Sequence, residues 1–301
     1  MTPDDALDLT NTAILIPLLQ RHGFSTKKSL GQHFLISRRV LEAIIAACEL
    51  PDGLPVLEIG PGIGTLTRAL AERGARVTAV ELDARAVAVL EETVGAFPNV
   101  RVLRQDILAL DLPSLLGEEC WTTVGNLPYY ITTPVIGKML EAASHFRRMV
   151  FMVQREVADR LAAAPGTRDY GSLSVFVQVY TTVERVVRVP RGAFLPMPTV
   201  ESAVVRLTVR PQPLVPPARQ EMFFRVVRAA FGQRRKTLEN ALAGGGILDG
   251  ERGRITEALA AAEIAPGRRG ETLSIEEFRR LAEGIVSFEE NSLHRVEKID
   301  L

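Results

Sequence analysis

Residues 126–130 read Asn-Leu-Pro-Tyr-Tyr, and their types suit one chemical task, activation of a planar amine. An exocyclic amine on an aromatic ring is a poor nucleophile, because its lone pair is delocalised into the ring. An acceptor must take its N–H hydrogens and draw the nitrogen toward tetrahedral geometry. The side-chain carbonyl of Asn126 and the backbone carbonyl of Leu127 are such acceptors. Pro128 fixes the turn, and Tyr129 offers a ring for base stacking. No strong base is needed beforehand, since the amine loses its proton readily once alkylated. The plainer alternative is an Asn-Pro turn carrying two core tyrosines.

A second stretch reads Glu58-Ile59-Gly60-Pro61-Gly62-Ile63-Gly64, after an apolar strand pattern and before a helical one. Gly60 and Gly62 let a backbone turn tightly and approach a ligand, although such a triplet can also be a mere turn. Glu81 lies 21 residues after Gly60, at the end of the next strand pattern, where a carboxylate can accept from two ribose hydroxyls. Asp106 follows the third strand pattern and can accept from an adenine amine. Each acid alone could be a solvated strand end or a cap. Together they describe an adenosine site. Glu58 before the loop and Pro61 within it suit a ligand bearing an ammonium and a sulfonium better than a pyrophosphate. The expected ligand is therefore S-adenosyl-L-methionine rather than NAD. No GxxxxGK[ST] pattern is present, nor the HxE and PCxxC ligands of a zinc deaminase.

Strands and helices must alternate to hold these loops. Residues 37–48 read as a helix capped by Ser37, with Val40, Leu41, Ile44 and Ile45 on one side. Residues 55–60, 76–81 and 100–105 read as strands, with helices at 65–73 and 84–94 between them. Further strands are expected at 121–125 and 149–153, around a helix near 134–143. This alternation predicts a mostly parallel sheet covered on both sides, an α/β fold. After Gly166 the pattern predicts strands at 173–180, 183–189 and 203–209, with a Pro-rich loop at 192–201. Residues 211–217 hold four prolines and mark a boundary. Helices are expected beyond it at 219–231, 234–243, 252–261 and 274–285. The predicted domains are 1–210, which holds these motifs, and 211–301, which is all-helical.

The chain has 301 residues, 47% hydrophobic and 24% charged, which excludes wholesale disorder and a collagen-like repeat. No apolar run is long enough to span a membrane, and the acidic start argues against a secretory signal. Cys48 and Cys120 cannot make a disulfide scaffold or a four-thiolate zinc site. The net charge is zero but segregated. Residues 51–120 hold eleven acids against six bases, whereas 206–240 hold eight bases against two acids. Arg234, Arg235 and Lys236 are consecutive there, on a helix by pattern. They are either phosphate contacts or a solvated face.

With these residues placed, the chain resembles the ribosomal RNA adenine dimethylases from about Lys27 to about Glu283. The resemblance rests on Gly31-Gln32-His33-Phe34-Leu35, the loop from Leu57 to Thr67, and Asn126-Leu127-Pro128-Tyr129. It also rests on Phe194, Pro196, Pro198, Val200 and Ser202 of a late motif, and on Phe231 to Leu238. It implies a Rossmann-like S-adenosylmethionine-dependent methyltransferase sheet with a small helical C-terminal domain. It further implies cofactor contacts from Gln32, His33, Leu35, Gly60, Gly62, Glu81, Leu82, Asp106, Ile107 and Asn126. Phe194 would be a second aromatic face beside a flipped adenine, though it could simply pack under the Pro-rich loop, and His33 could be a core histidine. The implied activity is N6,N6-dimethylation of two adjacent adenosines near the 3′ end of 16S rRNA, within an immature small ribosomal subunit. A cytoplasmic, metal-free monomer is expected. The alternatives are a large-subunit 23S rRNA methylase of the antibiotic-resistance type, which usually differs in the C-terminal domain, and a non-catalytic assembly factor. DNA adenine methylases usually carry Pro where this chain has Leu127.

Overall fold

Every residue of Pro55–Ile59 is buried, Glu58 included, which requires a central strand covered on both faces. The computed structural model describes residues 7–24, 33–51, 53–233 and 235–297, with side chains as far as Glu289. Its strands are β1 (Phe34–Leu35), β2 (Pro55–Ile59), β3 (Arg76–Glu81), β4 (Val100–Arg104), β5 (Trp121–Asn126), β6 (Phe146–Gln154), β7 (Thr181–Val189), β8 (Phe194–Leu195) and β9 (Ser202–Val209). Its first helices are α1 (Thr12–Arg21), α2 (Arg38–Cys48), α3 (Thr65–Ala71), α4 (Ala84–Val94), α5 (Leu112–Leu116), α6 (Thr132–Glu141) and α7 (Arg155–Leu161). The later ones are α8 (Ser172–Tyr180), α9 (Pro217–Gly232), α10 (Leu238–Gly244), α11 (Arg252–Ala261) and α12 (Ile275–Glu297).

Seven strands form one sheet in the order β4-β3-β2-β5-β6-β9-β7. The strands from β4 to β6 run parallel, and β9 is antiparallel to β6. The fold is thus the Rossmann-like α/β sheet of the methyltransferases. Because β2 pairs with β3 on one side and β5 on the other, the chain changes winding direction there. A crevice opens at the carboxyl ends of such strands. The edge strand β7 carries exposed Glu184, Arg185 and Arg188, charges that discourage pairing with another chain.

Local chemistry sets the ends. Ser37 accepts from the Val40 N–H and Asp83 from the Arg85 N–H, so both cap helices as their types require. Gly64 opens α3 at φ +90°, and a Cβ there would stand 2.8 Å from Thr93 Oγ1. α1 covers this region, with Leu15, Leu18 and Leu19 packed beside Phe34, Ile63 and Val89. Each such burial contributes about 1.5–3 kcal/mol.

The chain divides into two compact units, residues 1–158 with 182–209, and 159–181 with 210–301. The division departs from a single cut after 210, because Asp159–Thr181 belongs to the second unit. The reason is a difference in secondary structure. Residues 172–180 form a helix where the sequence pattern predicts a strand. A short apolar run does not distinguish the two. Val175 and Val179, one turn apart, pack into a core with Tyr170, Phe223, Leu259, Phe278 and Leu281. Thr181 then starts β7 in the seven-stranded sheet.

Candidate functional site

A cavity of about 320 Å³ occupies the crevice. The carboxyl ends of β2, β3, β4 and β5 supply most of its wall, and residues 33–35 with Ile44 and Met152 supply the rest. His33, Leu35, Gly60, Gly62, Glu81, Leu82, Asp106, Ile107, Asn126, Leu127, Pro128 and Tyr129 all line it. Residues up to 96 positions apart in sequence are therefore brought together. Gln32 and Arg234 lie outside the described residues.

The Glu81 carboxylate is fixed by three backbone N–H donors. Gly62 N lies 3.1 Å from one oxygen, and Leu82 N and Asp83 N lie 2.8 and 2.9 Å from the other. It thus braces the glycine loop against the end of β3 while facing the cavity. Burial raises its pKa, and the three N–H donors partly offset that rise. Asp106 accepts from Leu108 N at 2.9 Å with one oxygen. Gly125 lets β5 approach β2, since a Cβ there would stand 2.6 Å from the Ile59 carbonyl oxygen.

Asn126 ends β5, and its side-chain amide N–H donates to the His33 carbonyl at 3.0 Å. This bond uses one of the two amide N–H hydrogens and orients the side chain, whose carbonyl oxygen is its acceptor. His33 Nδ1 lies 2.7 Å from the Pro196 carbonyl oxygen, so the roof segment is also tied to the Pro-rich loop. The Tyr129 hydroxyl lies 2.8 Å from Ser202 Oγ, and its ring lies 6.0 Å from the His33 ring. The Leu127 N–H donates to the Met152 carbonyl, which holds the turn onto β6.

Three features depart from the sequence reading. Phe194 is only 3% exposed and packs with Leu35, Val189 and Val204. It meets the His33 ring edge-on at 6.4 Å and does not line the cavity. β8 pairs with β1, and the structure places the ring in this core, edge-on to His33. Arg235 and Lys236 are exposed, but on the turn between α9 and α10 rather than on a helix. The helix stops at Gly232 and restarts only after Thr237. Tyr130, absent from the expected site residues, also lines the cavity.

Glu58, whose carboxylate the sequence set beside a cationic ligand without naming it as a contact, also lines the cavity. It is 1% exposed, and Oε2 has no hydrogen-bond partner. Burial pushes its pKa up to about 8, with the Thr67 hydroxyl lowering it and Glu81 raising it further. Its position two residues before Gly60 carried that signal in the sequence.

Among the described residues lining the cavity are Glu58, Glu81, Asp83 and Asp106, and no Lys or Arg. Such a wall rejects a pyrophosphate and favours a cation. S-adenosylmethionine, with its ammonium, sulfonium, ribose hydroxyls and adenine, fits this donor and acceptor set. The unpartnered Glu58 oxygen is a further acceptor for a cationic ligand. Among the described residues there is no cluster of His, Cys, Asp and Glu able to hold a metal ion, and no helix long and apolar enough to cross a membrane.

Sheet order and cavity together define an S-adenosylmethionine-dependent methyltransferase. Comparison with known proteins narrows the class. The family model described as ribosomal RNA adenine dimethylase matches residues 23–285, and the chain belongs to that family. It is 49% identical over 276 residues to "Ribosomal RNA small subunit methyltransferase A" of Geobacillus thermodenitrificans (strain NG80-2), covering 89% of this chain and 94% of the relative. The protein of that name from Anoxybacillus flavithermus (strain DSM 21510 / WK1) is 48% identical over 273 residues, covering 88% and 92%. Among solved structures, a dimethyladenosine transferase from Plasmodium falciparum aligns with TM-score 0.69 and 25% identity, over 83% of this chain and 96% of that one. The 23S rRNA methyltransferase ErmE aligns with TM-score 0.66 and 32% identity, over 84% and 99%.

Proposed function

We propose that this chain dimethylates N6 of two adjacent adenosines near the 3′ end of 16S rRNA, in the immature small ribosomal subunit. The observation that carries the reading is the Asn126 amide, fixed by the His33 carbonyl inside an acid-lined adenosine cavity. When bound, S-adenosylmethionine supplies a methyl group on a sulfonium, an electrophile that needs no metal. The chain's own residues do the rest. Glu81 receives ribose hydroxyls on oxygens already oriented by three N–H donors. Asp106 accepts from an adenine amine beside Leu82 and Ile107. The carbonyls of Asn126 and Leu127 accept from the target N6 hydrogens. These bonds strengthen as the nitrogen becomes tetrahedral, so they act on the transition state. The proton leaves to water after transfer. Tyr129, held by Ser202, presents its ring to the target base. Arg234, Arg235 and Lys236 of the second unit serve RNA phosphates.

ErmE supports a second reading, transfer to large-subunit rRNA, at 32% identity. The 49% identity to a small-subunit relative favours the first. The test is methyl transfer to purified immature small subunits, large subunits and protein-free rRNA, followed by nucleoside analysis and site mapping. The proposal expects N6,N6-dimethyladenosine at two neighbouring positions in small subunits. Product confined to large subunits would overturn it.

A further inference from the structure

Resting on that reading, we propose that Tyr130 is a stacking platform for the nucleobase next to the target adenosine, with Met197 and Val200 completing an apolar rim. The Tyr130 side chain is 76% exposed and lines the cavity, so it stands at the rim. Among the described residues its hydroxyl has no hydrogen bond and its ring no aromatic neighbour. Tyr129 beside it is pinned through Ser202 and faces His33. Two consecutive tyrosines therefore have different situations, one braced at the reaction centre and one presented to solvent.

The Pro-rich loop supplies the other apolar members of the proposed rim. That loop is tied to the cavity at one end by His33 and the Pro196 carbonyl, and at the other by Tyr129 and Ser202. Between these ties, Met197 is 51% and Val200 41% exposed. Exposed apolar side chains gathered beside a binding cavity mark a surface that a partner covers. The adjoining charge specifies that partner. Glu201 in the same loop is shared by Arg155 at 2.7 Å and Arg188 at 3.4 Å, which gathers two guanidinium groups at the end of that loop. An exposed ring on the same unit as these guanidinium groups suits single-stranded RNA, whose bases stack while its phosphates meet cations.

Stacking also answers a problem set by two adjacent targets. A reader that hydrogen-bonded N6 of the neighbour would be left without a donor once that neighbour carried two methyl groups. A ring face does not use N6, because stacking engages the π-face of any base. The same platform can therefore hold the neighbour before and after its own modification.

The test compares Tyr130→Ala and Tyr130→Phe with the parent on small subunits lacking dimethyladenosine. The readouts are KM for subunits, kcat, cofactor affinity by calorimetry, and binding of a labelled single-stranded oligoadenylate. Tyr130→Ala should raise KM about ten-fold and weaken oligoadenylate binding similarly. Cofactor affinity should change far less than either, and Tyr130→Phe, which keeps the ring, should recover oligoadenylate binding. A KM for Tyr130→Ala within about two-fold of the parent would overturn the inference, as would a matching loss of cofactor affinity. A defect on subunits with unchanged oligoadenylate binding would assign the platform to a ribosomal protein, and likewise overturn it. If the parent itself transfers no methyl group, the functional reading falls and this inference with it. A working parent beside an unimpaired alanine variant removes this inference alone.

Discussion

Replacing Glu58 by glutamine should change how stability depends on pH. The folded protein holds the Glu58 proton up to about pH 8, whereas the ordinary value is 4.5. Between those values the folded state binds a proton that the unfolded chain has released. Stability from this group is therefore full below the lower value and falls as pH rises toward the upper one. The slope is about 1.4 kcal/mol per pH unit. From about pH 5.5 to about pH 7.5 the loss is on the order of 3 kcal/mol. The amide of the Glu58→Gln variant carries no titrating proton, so its advantage over the parent should widen by that amount and stop widening above about pH 8. Glu81 titrates in both proteins and largely cancels in the difference. Urea unfolding followed through Trp121 measures it, because this single tryptophan is buried on β5 of the same sheet. A gap constant across the window would show that Glu58 ionises normally when folded. A gap that narrows would reverse the sign of the argument. A cationic cofactor beside Glu58 would also draw the proton off, so affinity should rise more steeply with pH in the parent than in the variant.

Glu81→Gln sets an amide against backbone N–H donors that now meet a carboxylate, and it weakens the charge-assisted bonds available to ribose. Cofactor affinity should fall by at least about ten-fold, since such bonds contribute about 1.5–3 kcal/mol each; unchanged affinity in calorimetry would make Glu81 only a brace for the loop. Replacing Arg234, Arg235 and Lys236 together by Ala should weaken subunit binding and flatten its salt dependence, by about 0.7 in slope for each single-strand phosphate that is no longer neutralised. Circular dichroism should stay unchanged, because Arg235 and Lys236 are exposed on a turn. An unaltered slope in the folded variant would assign the run to a solvated face.

The site was readable in the sequence wherever its chemistry is local. The loop from Glu58 to Gly64, Glu81, Asp106 and residues 126–129 each sit at a strand end, and strand ends follow from alternating periods. Helix α4 and strand β3 match the pattern residue for residue. What failed depends on distant partners. The bond from Asn126 to the His33 carbonyl joins residues 93 positions apart and leaves no local mark. Phe194 packs into a core with Leu35, Val189 and Val204, which composition does not announce. Residues 172–180 are β-branched and apolar enough for a strand, and only the core of the second unit makes them a helix. The Arg-Arg-Lys run continues a helical pattern, yet α9 ends at Gly232. Helix α1 was not foreseen, although Asn11 caps it by accepting from Ala13 N.

The central claim is that the Asn126 carbonyl, set by the roof segment, activates the target amine. Single-turnover methyl transfer to immature small subunits, by the parent and by Asn126→Ala with cofactor saturating, tests it most directly. Removal of a preorganised transition-state interaction predicts a rate lower by about a hundred- to a thousand-fold. The fold and most of the cofactor affinity should be retained. A rate within a few-fold of the parent would contradict the account and remove Asn126 from the reaction.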